Sequence, residues 1–347
     1  MKKIKKLMVT TLVLLLTAAL LAGCGGNTGS QATTPTQGAR EATENGTPQD
    51  GEKKVYKIGI VQLAENGAFK EMREGFLNRL NELGYSEDML DIDYKNAQGD
   101  IGTLGTICQT MAKSDKDIVV TIATPAAQAY VSQESDIPLI FISVSNPVAA
   151  GIMSSLETPD RNATGSSNLV PVGEIFQMAT QLTPEAKNFG FLYNTGEANA
   201  VSTVANAKAY LDANGYSHQE VTVTNSSEIQ QAAESLVSKV DAIYVPIDSM
   251  VQGAMPQIAQ IAKDAGVPLY GSSPVMVVDG ALATVSTNDT QVGATSADLA
   301  DRYFKGTPIA EIPAVAVSDF IVVINETTAE AVGVEMPEIY ADAVKIK

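Results

Sequence analysis

Covalent chemistry needs nucleophiles, bases or metal ligands brought together, and this chain carries few of them. His218 is its single histidine, inside the polar stretch Tyr216-Ser217-His218-Gln219-Glu220. Any Ser/His/Asp triad would have to be built on that one imidazole. The two cysteines, Cys24 and Cys108, lie far apart, and no His/Cys grouping has the spacing of a metal site. Gly271-Ser272-Ser273-Pro274 lacks the second glycine of a G-x-S-x-G elbow. No phosphate loop or G-x-G-x-x-G follows a strand pattern. The sequence therefore predicts no catalytic residue, no metal and no cofactor.

Residues suited to noncovalent recognition are better represented. Thr124-Pro125 reads as a helix start, with Thr as N-cap and Pro at the first helical position. The amides of Ala126 and Ala127 then point outward at a positive helix end, which suits a carboxylate. Capping by Thr124 and anion binding are compatible roles. Ser145 and Asn146 offer donors from a neighbouring turn. Glu197 and Asp248 offer anions for an ammonium, although acidic residues at turns are more often simply solvated. Asn199 and Asp289 are further candidates, and Asp289 equally suits the cap of a helix running through Val292 to Phe304. Glu65, Asn66 and Ser273 complete the set, because each stands in a turn directly after a strand pattern.

Those turns are positioned by alternating short apolar strands and amphipathic helices. Lys57-Ile58-Gly59-Ile60-Val61 is a strand, and Phe69, Met72, Phe76, Leu80 and Leu83 form one face of a helix ending at Gly84. Ile92-Asp93-Tyr94 is a second strand, and Leu104, Ile107 and Met111 mark a helix capped by Asp100. Residues 117–123 and 138–144 are continuous apolar runs of the kind found in buried parallel strands. The alternation continues at 189–192, 221–223, 242–245 and 267–270. Strand alternating with helix predicts an α/β fold with parallel sheets covered on both faces.

The pattern also repeats within the chain. Residues 117–124 and 136–148 form one copy of a strand-helix-strand unit, and 241–248 and 265–275 form the other. Residues 60–66 echo 191–199 in the same way. Two copies of one unit predict two similar doubly wound domains. Ligands of open parallel sheets bind beyond the carboxyl ends of the strands. If the domains face each other, the polar turns named above line one cleft.

The chain ends bear on location. Lys2, Lys3, Lys5 and Lys6 precede an apolar run over 7–21, shorter than the roughly 20 residues of a comfortable membrane span. This is the pattern of a secretory signal over 1–23. The run closes on Leu21-Ala22-Gly23-Cys24, which resembles the bacterial lipobox and implies cleavage before Cys24 with lipidation of its thiol. Cys108 is then left without a partner for an internal disulfide, and its place beside Ile107 and Met111 suits a buried structural thiol. Residues 25–54 are rich in Gly, Thr, Gln, Asn, Pro and Glu and read as a disordered tether. The formal charge is −17; without the four leading lysines, 19 basic residues face 40 acidic ones, a net of −21. That balance excludes nucleic acid as a partner and keeps the body off an anionic membrane beyond its anchor.

Several segments together carry a family resemblance. Gly59-Ile-Val-Gln62, Asp93-Tyr-Lys-Asn-Ala-Gln-Gly99, Ala123-Thr-Pro-Ala-Ala-Gln128, Leu192-Tyr-Asn-Thr-Gly-Glu-Ala-Asn199, Val223-Thr-Asn-Ser-Ser227 and Val240-Asp-Ala-Ile-Tyr244 are similar to ABC transporter substrate-binding proteins of the tryptophan/tyrosine-binding type. The likeness spans 55–339. It implies the type I periplasmic-binding-protein (Venus-flytrap) fold, with three hinge crossovers near 164–168, 284–287 and 315–319. The lobes would then comprise 55–165 with 288–314, and 166–287 with 315–347. It further implies an extracytoplasmic, membrane-tethered monomer that captures an amino acid and hands it to an ABC permease. The family usually carries an aromatic residue and a His-Pro pair after Gln62, where this chain has Leu63-Ala64-Glu65-Asn66-Gly67 and no tryptophan anywhere. Aromatic and aliphatic amino acids and other small carboxylates thus stay open as ligands. Two other readings stay open at this level: a sensory receptor of the same fold, and a cell-envelope hydrolase dependent on His218. The gene-repressor relatives of the fold are disfavoured by the export signal and the lack of an N-terminal helix pair.

Overall fold

The computed structural model describes residues 54–347. The expected signal peptide over 1–23, lipidated Cys24 and nearly all of the tether over 25–54 lie outside the described residues.

Among the described residues, thirteen strands build two sheets. They are β1 (Tyr56–Gln62), β2 (Leu90–Asn96), β3 (Ile118–Ile122), β4 (Leu139–Ile142), β5 (Ala163–Asn168), β6 (Asn188–Asn194) and β7 (Ser217–Val223). The rest are β8 (Ala242–Tyr244), β9 (Leu269–Tyr270), β10 (Ala283–Thr287), β11 (Val315–Val317), β12 (Phe320–Asn325) and β13 (Val344–Ile346). The first sheet has the order β11-β5-β4-β3-β1-β2 and the second β13-β12-β10-β9-β8-β6-β7. Read from the β2 and β7 edges, the two orders match strand for strand through β5 and β10. This is the physical form of the internal repeat: the units around β3 and β8 hold equivalent places.

Each sheet is covered on both faces. In the first lobe, Ile58, Ile60, Val120 and Ile140 meet Phe69, Phe76 and Leu299 on one face. On the other, Val61, Val119 and Phe141 meet Leu104, Cys108 and Tyr130. The second lobe repeats the plan with Phe176, Phe189, Phe191 and Tyr244 on one side and Leu192, Ile243, Leu236 and Ile258 on the other. Strands buried on both faces must be apolar throughout, which is why β3 and β4 read as continuous runs. Cys108 is fully buried, and burial pushes its thiol up to about 12. It is an inert core group.

The chain passes between the lobes three times. It leaves β5 for the helix Val172–Leu182, leaves β10 for the helix Asp289–Phe304, and leaves β11 for β12. Strands β5 and β11 pair with each other in the first sheet, so that lobe keeps 166–168 and 315–317. Boundaries set at 165/166 and 314/315 from sequence each cut into or exclude a strand of the first sheet. The error has a simple origin: Ala163-Thr-Gly-Ser-Ser-Asn168 is fully buried yet has no apolar run. Its polar atoms are matched one by one, Thr164 Oγ1 to the Ile312 carbonyl (2.6 Å) and Ser166 Oγ to Ser296 Oγ (2.8 Å). The last crossover also explains the one antiparallel pair among the described strands, β10 with β12. β11 runs toward the gap between the lobes, so its continuation must run away from it.

The helix that returns from the second lobe is locked to the helix Gly67–Glu82 by two glycines. A Cβ on Gly75 would stand 2.3 Å from the Thr290 carbonyl oxygen, and one on Gly293 would stand 2.0 Å from that of Met72. Gly293→Ala is therefore expected to force the helices apart and lower the unfolding free energy by about 1–3 kcal/mol in urea titrations. Gly105→Ala, in open space within the helix Ile101–Met111, should be neutral or stabilising by about 0.4–1 kcal/mol. Equal effects at the two positions would refute the close-approach account.

Candidate functional site

Parallel strands deliver their carboxyl ends to the gap between the lobes, and the polar turns follow them there. A cleft of about 860 Å³ opens at the β1/β2 side of the first lobe and the β6/β7 side of the second. Leu63, Glu65, Gln98 and Asp100 line one wall, and Asn194, Glu197, Thr224 and Met250 the other. Following the first sheet from β2 toward β11 leads from this mouth to the crossovers.

Along that path the polar groups are covered and incompletely paired. Thr124 is 2% exposed, and its Oγ1 has no hydrogen-bond partner among the described residues. Thr121 Oγ1, Ser143 Oγ and Asn66 Nδ2 on the first lobe share that state, as do Asn199 Oδ1 on the second lobe and Asp289 Oδ2 at a crossover. A buried polar group without a partner costs roughly 1–3 kcal/mol, and native folds leave few of them.

The backbone at two of these strand ends is also strained. Ala123 has φ 71° and ψ 164°, and Ser143 has φ 61°, conformations that side chains other than glycine rarely adopt and that persist where a site requires them. Ala123, and not Thr124, holds the N-cap position of the helix Thr124–Val131, and no side chain caps it. This corrects the expectation that Thr124 caps. Its hydroxyl is left over at the positive end of the helix, beside the Ala126 amide; the Ala127 amide, expected to face outward, donates instead to the Ala123 carbonyl (3.2 Å).

The remaining predicted residues divide by what already holds them. Asp248 is fully buried: it accepts from the amides of Met250 (3.1 Å), Val251 (2.9 Å) and Asn194 (2.6 Å). Glu197 is 2% exposed and accepts from the Ser249 amide at 2.9 and 3.0 Å and its hydroxyl at 3.1 Å. Both carboxylates are committed to the second lobe's own loops, contrary to a free role toward an ammonium. Glu65 stands at the mouth and accepts from Tyr94 Oη (2.7 Å), Gln62 Nε2 (2.6 Å) and Arg73. Burial raises its affinity for a proton, but Arg73 and Tyr94 outweigh that and hold its carboxyl below the usual range.

Asn66 caps the helix Gly67–Glu82 through its Oδ1. Asn199 donates to the Ile247 carbonyl (2.7 Å). Ser273 caps the helix Pro274–Val278 and accepts from Gln252 (3.2 Å). Ser145 donates to Asn168 (3.4 Å), whereas Asn146 is exposed and accepts from the Ala149 amide of its own turn. Asp289 is 2% exposed and does not cap its helix; Asn288 does, accepting from Gln291. Thr121 and Ser143 were missed by sequence. Their signal was a lone hydroxyl within or directly after a run of apolar strand residues. His218 is the second residue of β7, at the end far from the cleft, 3.2 Å from Asp212.

Comparison with known proteins agrees with this layout. Residues 57–347 match the family described as ABC transporter substrate binding protein. The tyrosine-binding protein of Clostridioides difficile (strain R20291) is 33% identical over 346 residues, covering 99% of this chain and 96% of that protein. The structure of an ABC domain from Streptococcus pneumonia in complex with L-Trp superposes with a TM-score of 0.82 at 30% identity, over 84% of this chain and 100% of that one. A ligand-free, open substrate-binding protein with adhesive properties from Clostridium difficile is 35% identical, over 84% of this chain and 99% of that one. Its TM-score is 0.65.

The Glu197–Asp248 pair makes stability depend on pH. Burial, and then the neighbouring Asp248, push the Glu197 carboxyl up to about 8 from an ordinary 4.5. Burial raises Asp248 as well. The folded chain holds the Glu197 proton more tightly than the unfolded chain does. Its contribution is thus intact below about pH 4.5 and is lost as pH rises toward 8. Glu197→Gln keeps an acceptor for the Ser249 amide and removes the titration. The fall in melting temperature between pH 5 and 8.5 should shrink in the variant, by about 2–4 °C per kcal/mol recovered. An unchanged fall would show that another group titrates.

Proposed function

The chain belongs to the ABC transporter substrate binding protein family, with two α/β lobes of the type I periplasmic-binding-protein fold, and from that premise we propose that it captures an L-amino acid between its lobes and delivers it to a membrane permease. Family membership makes it a solute-binding protein and not an enzyme. The observation that carries the ligand reading is the set of covered, unpartnered polar atoms on both sides of the gap. Thr124 Oγ1 and the amides at the start of Thr124–Val131 suit a carboxylate, and Asn199 Oδ1 on the opposite lobe suits a donor. A solute reaching both lobes binds the closed arrangement better than the open one, which is all that closure requires.

The relatives' ligands favour an aromatic amino acid, while Leu63-Ala64-Glu65 in place of an aromatic residue and a His-Pro pair leaves room for aliphatic ones. Calorimetry against the twenty amino acids separates these, and silence across the whole set would discard the amino-acid reading. Thr124→Val removes the unpaired hydroxyl and keeps its shape. The variant should melt at or above the wild-type temperature and bind its amino acid about 10- to 100-fold more weakly, as expected for a lost hydrogen bond to a charged group. Undiminished affinity would take Thr124 out of the site.

The tether reading completes the proposal. Residues 1–24 carry the features of a lipoprotein signal, and a diacylated Cys24 would hold the receptor beside its permease outside the membrane. Cys24→Ser should abolish incorporation of labelled palmitate into the chain and leave ligand affinity unchanged. Label retained by the variant would remove the anchor from the account.

A further inference from the structure

An ammonium enclosed between two lobes needs an anion that is not already spent, since an uncompensated buried charge is strongly unfavourable. Most acidic groups around the gap are spent. Asp100 accepts from the Thr103 amide as a helix cap, Glu65 is held by Arg73 and Tyr94, and Glu197 and Asp248 are committed to backbone amides. Asp289 differs: it is buried, it is not the cap of its helix, and its Oδ2 has no partner among the described residues.

Its place in the fold is the right one. Ser296, on the same helix, bonds the Phe141 carbonyl and Ser166 Oγ near the carboxyl ends of β4 and β5. Asp289 lies seven residues earlier, about 10 Å nearer the gap at 1.5 Å per residue. It directly follows the crossover from β10, where Val275 of the second lobe packs on Gly67 of the first. We propose that Asp289 receives the ammonium group of the captured solute and that a proton leaves the protein as this ion pair forms. The inference rests on the amino-acid reading above.

The protons balance simply. Burial, with the nearby Glu71 adding to it, keeps the Asp289 carboxyl neutral well above the usual range. When the ammonium arrives, the Asp289 O–H bond breaks, its proton passes to buffer, and the solute keeps its own three protons. The surrounding elements set few other charges against it. Helix Gly67–Glu82 contributes Glu71, while its Arg73 is turned to Glu65 and its Lys70 pairs with Glu74. Strands β4 and β5 present the Phe141 carbonyl and the Ser166 hydroxyl to this helix, and Pro274–Val278 is apolar until Asp279 at its far end.

The test is calorimetry on the purified protein at pH 7 in buffers of different ionisation enthalpy. The ligands are L-tyrosine and L-tryptophan with their des-amino analogues, 3-(4-hydroxyphenyl)propionate and indole-3-propionate. The wild type should release a proton with the amino acid wherever Asp289 is neutral in the free protein, and none with the analogue. Its affinity for the amino acid should rise by up to about tenfold per pH unit while Asp289 is neutral. Asp289→Asn substitutes a neutral amide for a neutral acid and should fold as the wild type does. It should bind the amino acid at least about tenfold more weakly without proton release, and the analogue unchanged. Amino-acid binding without proton release, or equal losses for amino acid and analogue in the variant, would overturn the Asp289 assignment and leave the amino-acid reading intact. If neither amino acid binds the wild type and no other of the twenty does, the amino-acid reading falls and takes this inference with it.

Discussion

A polar atom taken out of water must find a partner, and among the described residues most of the atoms that leave that demand unmet gather at the strand ends facing the gap between the lobes, Asn188 Oδ1 at the start of β6 being an exception. Every strand of the first sheet runs toward the gap, as do β6 to β10 of the second, so the turns after them supply donors and acceptors by topology alone. Thr124, Ser143, Asn199 and Asp289 are covered in this arrangement of the lobes without pairing all of their atoms. Closure by itself is then opposed by roughly 1–3 kcal/mol for each such atom. A solute that satisfies them reverses the balance. The binding energy and the conformational change are thus two descriptions of one set of hydrogen bonds.

The two lobes prepare their edges by different means. The second lobe fixes its loops with carboxylates: Asp248 ties Asn194 to the turn at Met250 and Val251, and Glu197 grips Ser249. The first lobe fixes its edge with backbone geometry, holding Ala123 and Ser143 at positive φ, which turns the following residues without using side-chain polar atoms. The carboxylates are consumed in building a rigid wall, whereas Thr124 and Ser143 keep hydroxyls unpaired. That asymmetry explains why acidity near the gap is a poor guide to which groups meet the ligand.

It also marks how far the sequence could be read. Strands β1, β3 and β4 were legible because burial on both faces demands continuous apolar runs, and Gly84 stands at φ 99° just beyond the first helix, where that helix was expected to end. Strand β5 was not legible, because Thr164 and Ser166 are satisfied by Ile312 and Ser296, some 130 to 150 residues away. No local pattern encodes such a match, and the lobe boundary moved with it. The candidate residues were found as a set, since polar turns after strands are visible in one dimension. Their individual states were not. Whether Asp248 or Asp289 has a free oxygen depends on which amides the fold aims at each, and Asn288 rather than Asp289 caps the returning helix by a one-residue difference in register.

The hinge ties these points together. Three residues separate β5 from the next helix, one separates β10 from its helix, and two separate β11 from β12. Three such short links side by side resist sliding and twisting of one lobe on the other, and leave bending as the easy motion. Asp289 stands directly after the shortest link, on a helix pinned to the first lobe by Gly75 and Gly293. A charge neutralised at that position is felt where the lobes bend, and not at the mouth, where Glu65 and Tyr94 remain exposed to solvent and to screening salt.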